Sequence, residues 1–304
     1  MDSKDVRIFC EMAFADFSQL SPRSISPSNI GRKLGLDAKT VRIRIKKMEE
    51  SGFIKYYQTH PNLKLFGKNF QSLYRFEAMN VPTKYEAIRL VGGKMEEIVE
   101  VYDYLGPSLT ITLVGKSLDE IATLSEKIAS EFELTRTRLG ERELYDVHAE
   151  PDALDWKIIE KLRYNGQAQI TDISDSLSIT QRMVQYRIEK LVSSNSIEIR
   201  PIINAKNQQG IIFYELWVYL EPSRVVEITR AIQEICGEKV WTERIIPNGA
   251  LVVDLFAFNL AETEDTAMRL STVDGVKWCS ISIMKEVIEP VKPNWIDLLI
   301  KSRT

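Results

Sequence analysis

Residues that usually carry chemistry are scarce in this chain. It has three cysteines (Cys10, Cys236, Cys279) and two histidines (His60, His148) among 304 residues. The cysteines are odd in number and scattered. They form no disulfide framework and no zinc-type pair, and they read as small buried hydrophobes of a reducing compartment. There is no HExxH and no Gly-rich phosphate loop; Gly92-Gly93 falls at a helix end, where a cap explains it. No feature marks a serine nucleophile. The expectation is a protein that is not an enzyme and holds no cofactor and no metal. Long apolar runs are missing as well, and Met1-Asp-Ser-Lys-Asp5 has no apolar signal core, so no membrane contact and a cytoplasmic location are expected. An excess of one charge is the last absence: 40 Lys and Arg stand against 43 Asp and Glu. That balance excludes a protein that coats nucleic acid everywhere, but it leaves room for one local basic patch.

What the sequence has is repetition. Asn29 to Glu77 matches Asp172 to Leu220 at a constant shift of 143, as from Ile30 to Ile173, and no gap is needed. Leu34 falls on Leu177, Val41 on Val184, Arg44 on Arg187, Ile45 on Ile188, Ile54 on Ile197, Gly67 on Gly210 and Tyr74 on Trp217. A period this long exceeds that of solenoids and indicates a duplicated unit of domain size.

Each unit opens with helical patterns. In the first, Val6, Ile8, Phe9 and Met12 keep helical spacing, a Ser- and Pro-rich loop spans 18–28, and helices follow over 27–34 and 38–51. Asp37 is a good N-cap and Gly52 a good stop. A strand is expected from Phe53 to Thr59. The second unit repeats this with helices over 153–164, 171–177 and 180–194 and a strand over 197–203. Val41, Ile45 and Met48 share one helix face, as do Val184, Ile188 and Leu191. This is the order of a winged helix-turn-helix. After each winged unit comes strand, helix, strand, strand, helix, strand, a βαββαβ ferredoxin-like order. The fold class read here is α+β, two winged helix-turn-helix domains alternating with two ferredoxin-like βαββαβ domains. The boundaries are 1–62, 63–148, 152–205 and 206–289, with a tail over 290–304. In the tail Trp295, Leu298 and Leu299 make one apolar helical stripe, read as folding onto its own domain.

The runs Asp155-Trp-Lys-Ile-Ile-Glu-Lys-Leu162, Ile173 to Leu177, Ser178-Ile-Thr180, Val184 and Arg187-Ile188 resemble the winged helix of Lrp/AsnC-type transcription regulators. Asp5-Val-Arg-Ile8, Ile30 to Leu34, Val41, Arg44-Ile45 and Glu50 to Ile54 are similar. The resemblance implies a prokaryotic, archaeal regulator that binds double-stranded DNA and dimerises through its sheet domains, here as a homo-oligomer or as a pseudo-dimer within one chain. Two departures matter. Family members carry one domain of each kind per chain. Amino-acid-responsive members also place an Asp-containing motif in the turn between the middle strands, whereas this chain has Gly106-Pro-Ser-Leu109 and Pro247-Asn-Gly-Ala250. No amino-acid effector is expected, and the identity of any other effector stays open.

DNA recognition needs donors on the outer face of the third helix. In the first copy these are Lys39, Arg42, Ile43, Lys46 and Lys47, with Thr40 beside them. In the second they are Arg182, Gln185, Tyr186 and Lys190, a weaker set. Arg44 and Arg187 have two readings, a phosphate contact or a bridge from the helix to its own domain. The segment Lys55 to His60 likewise reads as a phosphate-touching wing or as an ordinary strand. The alternative function is a ligand sensor or scaffold that binds no DNA and uses its winged helices for protein contacts. Siroheme decarboxylases resemble the same two-part architecture, but they surround a tetrapyrrole with basic and His groups, and two histidines, each near a segment end, fit that poorly.

Overall fold

The computed structural model describes residues 1–13, 26–94, 96–204, 207–246, 249–288 and 291–304, without the side chains of 92–94. The loop over 18–28 therefore lies largely outside the described residues, as does the Pro247-Asn248 part of the second turn.

Three helices open the chain: α1 (Ser3–Ala13), α2 (Pro27–Leu34) and α3 (Ala38–Glu50), followed by β1 (Ile54–Pro61). Local chemistry sets the ends. Ser26 and Asp37 accept backbone N–H groups at the starts of α2 and α3, and Gly35 ends α2 at φ 65°. The same order returns as α6 (Ala153–Leu162), α7 (Ile170–Leu177), α8 (Gln181–Ser193) and β6 (Ile197–Ile203). Val41, Met48, Val184 and Leu191 are buried, the faces expected from helical spacing.

The wing differs from the expected form. Each unit supplies one strand, and β1 and β6 pair with each other as an antiparallel two-stranded ribbon, His60 opposite Glu198. The remaining strands are β2 (Phe70–Glu77), β3 (Ile98–Tyr104), β4 (Ser108–Gly115), β5 (Thr135–Glu143), β7 (Ile212–Leu220), β8 (Val240–Ile246), β9 (Ala250–Ala257) and β10 (Val276–Ile288). They form one antiparallel eight-stranded sheet in the order β5-β2-β4-β3-β10-β7-β9-β8. Pairing of β3 with β10 joins its two halves. The chain is thus a mixed α+β protein with a winged helix-turn-helix domain and an antiparallel sheet.

Helices α4 (Val81–Lys94) and α5 (Leu118–Glu131) cover one face of the first half-sheet, and α9 (Val225–Cys236) and α10 (Leu260–Ser271) cover the second. The opposite face turns inward, and the edge strands β5 and β8 meet there through Leu139 and Ile246. Tyr74 and Trp217, which the repeat shift aligns, lie on opposite faces of the sheet. Trp217 lies on the inner face, whereas Tyr74 packs under the helices with Phe76 and Ile111. The tail helix α11 (Trp295–Lys301) buries Ile296 and Ile300 against α6, while Leu298 of the expected stripe stays exposed.

Candidate functional site

The recognition-type helices present unequal surfaces. On α3, Lys39, Arg42, Ile43, Lys46 and Lys47 are exposed, with Lys46 Nζ 3.6 Å from Glu50. Thr40 is half-buried and belongs to the helix cap: its N–H and its hydroxyl both donate to Asp37. On α8, Arg182, Gln185 and Tyr186 are exposed, and Gln185 donates to Glu189 at 3.0 Å. Lys190 leans inward, 3.9 Å from Asp155.

Arg44 and Arg187 take the second of their two readings. Arg44 Nη1 donates to Asp2 and to the buried Asp5 at 2.9 and 2.7 Å. Arg187 Nη1 donates to Asp152 and the buried Asp155 at 2.9 and 2.7 Å. A buried carboxylate in the first turn of each opening helix needs a countercharge, and the repeated Arg supplies it. Burial raises the Asp2 carboxyl, but the Asp5 N–H and the Arg44 guanidinium lower it, and it ends below the usual carboxylate value. As DNA contacts both arginines are therefore corrected: their charge is used inside the domain. The wing reading is corrected too. Tyr57, Gln58 and Thr59 are buried because β1 is covered by its pairing with β6 and by α6.

A second candidate lies inside the molecule. Between the β1/β6 ribbon and the inner face of β2, β3 and β5 is a cavity of about 520 Å³. The ribbon contributes His60, Glu198 and Arg200, and the sheet contributes Gln71, Glu100 and Arg142. The end of α8 and Ile296 of α11 close its rim. A neighbouring cavity of about 410 Å³ shares His60, Glu100 and Ile296 and adds Arg163. His60 stands in the wall common to both.

The electrostatics of this site are those of a desolvated cationic pocket with acidic partners. Arg200 Nη2 donates to Glu198 at 2.7 Å, and its Nη1 lies 3.5 Å from Glu100. Burial opposes its charge, but Glu198 and Glu100 hold it protonated. Arg142 donates to Gln71 at 3.0 Å and lies over the Tyr145 ring; burial and the nearby Arg200 push it down from the usual guanidinium value. Arg163 donates to Asp297 at 2.8 Å and to the Thr59 carbonyl at 2.7 Å, tying α6, α11 and the ribbon together. His60 Nε2 is buried with no hydrogen-bond partner among the described residues. Burial, then Arg200 and Arg163, hold His60 well below the ordinary imidazole value, so the ring is neutral at pH 7. A buried polar atom left unpartnered costs free energy, and such atoms concentrate where a ligand supplies the partner. A volume of this size also falls in the range of small-molecule sites, roughly 300–1,000 Å³.

Sequence reasoning does not find this constellation. It sets His60 aside as a residue near a segment end, and it does not single out Arg142, Arg163, Arg200, Glu100 or Glu198. One signal exists: Ile197-Glu-Ile-Arg200 and Glu141-Arg142 place charges on strands that have neighbours on both faces. His148, the other histidine, is exposed on the linker. Among the described residues no helix is long and apolar enough to cross a membrane.

A model of winged helix-turn-helix DNA-binding domains matches residues 19–55. No curated protein sequence matches the chain. In fold, it is similar over nearly its whole length to the siroheme decarboxylase NirDL, with 12% identity, a TM-score of 0.52, and coverage of 98% of this chain and 97% of that one. The same enzyme in complex with an iron-uroporphyrin III analogue gives 12% identity, a TM-score of 0.50 and the same coverage. AsnC from E. coli is similar over about half the chain, at 14% identity, a TM-score of 0.35, and coverage of 44% of this chain and 92% of that one. The expectation of a non-enzyme does not survive these findings: the fold that the chain shares from end to end is the fold of an enzyme.

Proposed function

We propose that this chain is an enzyme on an Lrp-like scaffold that removes carboxyl groups from a polycarboxylated macrocycle, with its winged helices serving as structural walls. The observation that carries the reading is the cavity at His60, where a neutral, unpartnered imidazole stands among Arg142, Arg163 and Arg200. Siroheme decarboxylase NirDL, of the same fold, supplies the reaction class and a candidate substrate, siroheme. In this reading the domain division at 62, 148 and 205 stands, and the two halves act as a fused pair.

The chemistry follows from the residues present. In decarboxylation the bond from carbon to the carboxylate breaks, CO2 leaves, and the electron pair stays on carbon until a proton arrives. Arginines orient the remaining carboxylates through charge-assisted hydrogen bonds. An entering polyanion offsets the repulsion that Arg200 and Arg163 exert on His60 and raises its proton affinity. His60 is then charged only with substrate bound, and it delivers its proton to the carbon. The low-dielectric walls strengthen each of these interactions.

Anaerobic incubation with siroheme, followed by mass spectrometry, tests this. Loss of CO2 from the macrocycle is expected with the natural chain and not with His60→Ala. An unchanged macrocycle would contradict the reading.

A second reading keeps DNA binding, because Lys39, Arg42, Lys46 and Lys47 on α3 face outward together within the matched helix-turn-helix. In that reading Lys39, Arg42, Ile43, Lys46 and Lys47, with Arg182, Gln185 and Tyr186 in support, meet the duplex. Its mark is an affinity that falls steeply with salt.

A further inference from the structure

The ribbon and the sheet repeat by an internal two-fold relation, so the cavity at His60 has a counterpart in the second half. Its residues are fixed by register. Gln71 pairs with Val114, and Phe213 pairs with Phe256, at the same place in each half-sheet. Arg142 lies opposite Gln71 on the edge-ward neighbour, and Met284 follows the pair of Tyr214 with Ile283 on the corresponding strand. On the ribbon, His60 corresponds to Ile203 and Arg200 to Tyr57 at the repeat shift of 143.

The counterparts of Gln71, Arg142, His60 and Arg200 are apolar or aromatic and belong to one buried cluster, while those of Glu100 and Glu198 are Thr242 and Lys55. Phe213, Met284, Ile203, Tyr57 and Phe256 pack there with Phe9 and Met12 of α1. Phe9 meets Phe53 edge-on at 5.0 Å between ring centres, and Phe213 meets Trp241 edge-on at 6.4 Å. Arg7 of α1 donates to the carbonyls of Glu238 and Val240 at 3.0 and 3.2 Å, fastening the helix over this place. On the cavity side the opening helix is α6, whose corresponding face packs on α11 through Ile159, Ile296 and Ile300. The polar walls are left unfilled there.

We infer that the chain has one ligand site, in the first half, and that its counterpart has become hydrophobic core closed by α1. The inference rests on the reading of the His60 cavity as a ligand site. Its physical basis is that each half needs either a ligand or side chains in this space. Interiors pack to the density of organic crystals, and filling one side with Phe, Trp and Met stabilises the scaffold that holds the other side open. A fused chain permits this division, since its halves vary independently, whereas identical subunits would change together.

Two readouts on the full chain test it. The first is a titration with iron-uroporphyrin III, followed by its absorbance, which is expected to saturate at one equivalent per chain. Two equivalents per chain would overturn the inference. The second readout needs no ligand. In the folded protein a thiol reagent is expected to label the His60→Cys variant readily and the Met284→Cys variant, at the counterpart of Arg142, at least roughly a hundredfold more slowly, since the latter waits for opening of the core. Natural Cys10, Cys236 and Cys279 give the background, and Phe213→Cys repeats the test at the counterpart of Gln71. Equal labelling at positions 60 and 284, repeated at 213, would overturn the inference. If the macrocycle does not bind while the labelling rates remain far apart, the proposed activity fails and the single open cavity stands.

Discussion

Gln71 and Phe213 occupy the same strand position in the two halves and face the same way, toward the ribbon. Around Gln71 are His60, Arg142 and Arg200 and a cavity of about 520 Å³. Around Phe213 are Phe9, Ile203, Phe256 and Met284, in close apolar contact. One backbone arrangement thus carries two solutions to the same problem. The space between ribbon and sheet is lined with buried charge in one half and filled with aromatic volume in the other. The difference shows that strand order fixes where a site can exist, while a few inward side chains decide whether it does.

The sharpest way to break this comparison is to shorten one residue on each side. Phe213→Ala is expected to destabilise the chain by about 3–5 kcal/mol, the range for a buried aromatic truncated in a packed core. Gln71→Ala at the matching position is expected to cost less, about 1–2 kcal/mol, which is the hydrogen bond accepted from Arg142 and not a packing loss, because the neighbouring space is already open. Denaturant midpoints at constant slope check this, and equal losses would erase the asymmetry.

The winged units should show the opposite, a true equivalence. Arg44→Ala strands the buried Asp5, and Arg187→Ala strands the buried Asp155. Each is expected to cost about 2–3 kcal/mol, below the roughly 3–5 kcal/mol of a fully buried pair because both arginines remain partly exposed. Thermal unfolding of the two variants should give similar shifts. A neutral result in either would return that arginine to the outer surface.

A smaller effect concerns pH. His60 has its folded value held below the ordinary 6.5. The unfolded chain therefore binds a proton that the folded chain refuses as pH falls below that value. The unfolded state is favoured by acid, so stability is present above it and declines below it, by about 1.4 kcal/mol for each unit of depression. His60→Gln should flatten stability over that acidic range, measured as denaturant midpoint against pH. An unchanged slope would mean that His60 is not held neutral. Smallest of all, replacing Lys39, Arg42 and Lys46 together by Ala should move stability by no more than about 0.5 kcal/mol, since these side chains face solvent. If the second reading is right, the same variant lowers the salt slope of duplex binding by about three, one for each phosphate no longer neutralised.

Much of the fold is legible because it is periodic. The strand over 197–203 occurs at the residues expected for it, and the α3 and α8 core faces follow helical spacing. The repeat itself misleads at one point. The shift of 143 that aligns Gly67 with Gly210, both at positive φ of 74° and 77°, fails in the sheet. There the equivalence is 142: Tyr74 pairs with Ile111 and Leu216 with Val253, and both pairs lie under helices. A one-residue slip moves every side chain of a strand to its other face, and so the constant shift matches Trp217 to Tyr74 although the two point in opposite directions. The His60 site is illegible for a different reason. Its side chains come from β1, β2, β3, β5, β6 and α6, and periodicity within one element does not reveal which faces meet. The pairing of β1 with β6, which turns the wing inward, is a contact between halves and leaves no local mark in either strand.

The cavity at His60 is tested most directly by a crystal structure of the chain grown with iron-uroporphyrin III. The expected result is the macrocycle between ribbon and sheet, with its carboxylates on Arg142 and Arg200 and one edge against His60 Nε2. Density for the macrocycle on the Phe213 side, or on the outer faces of α3 and α8 with the His60 cavity unchanged, would contradict it.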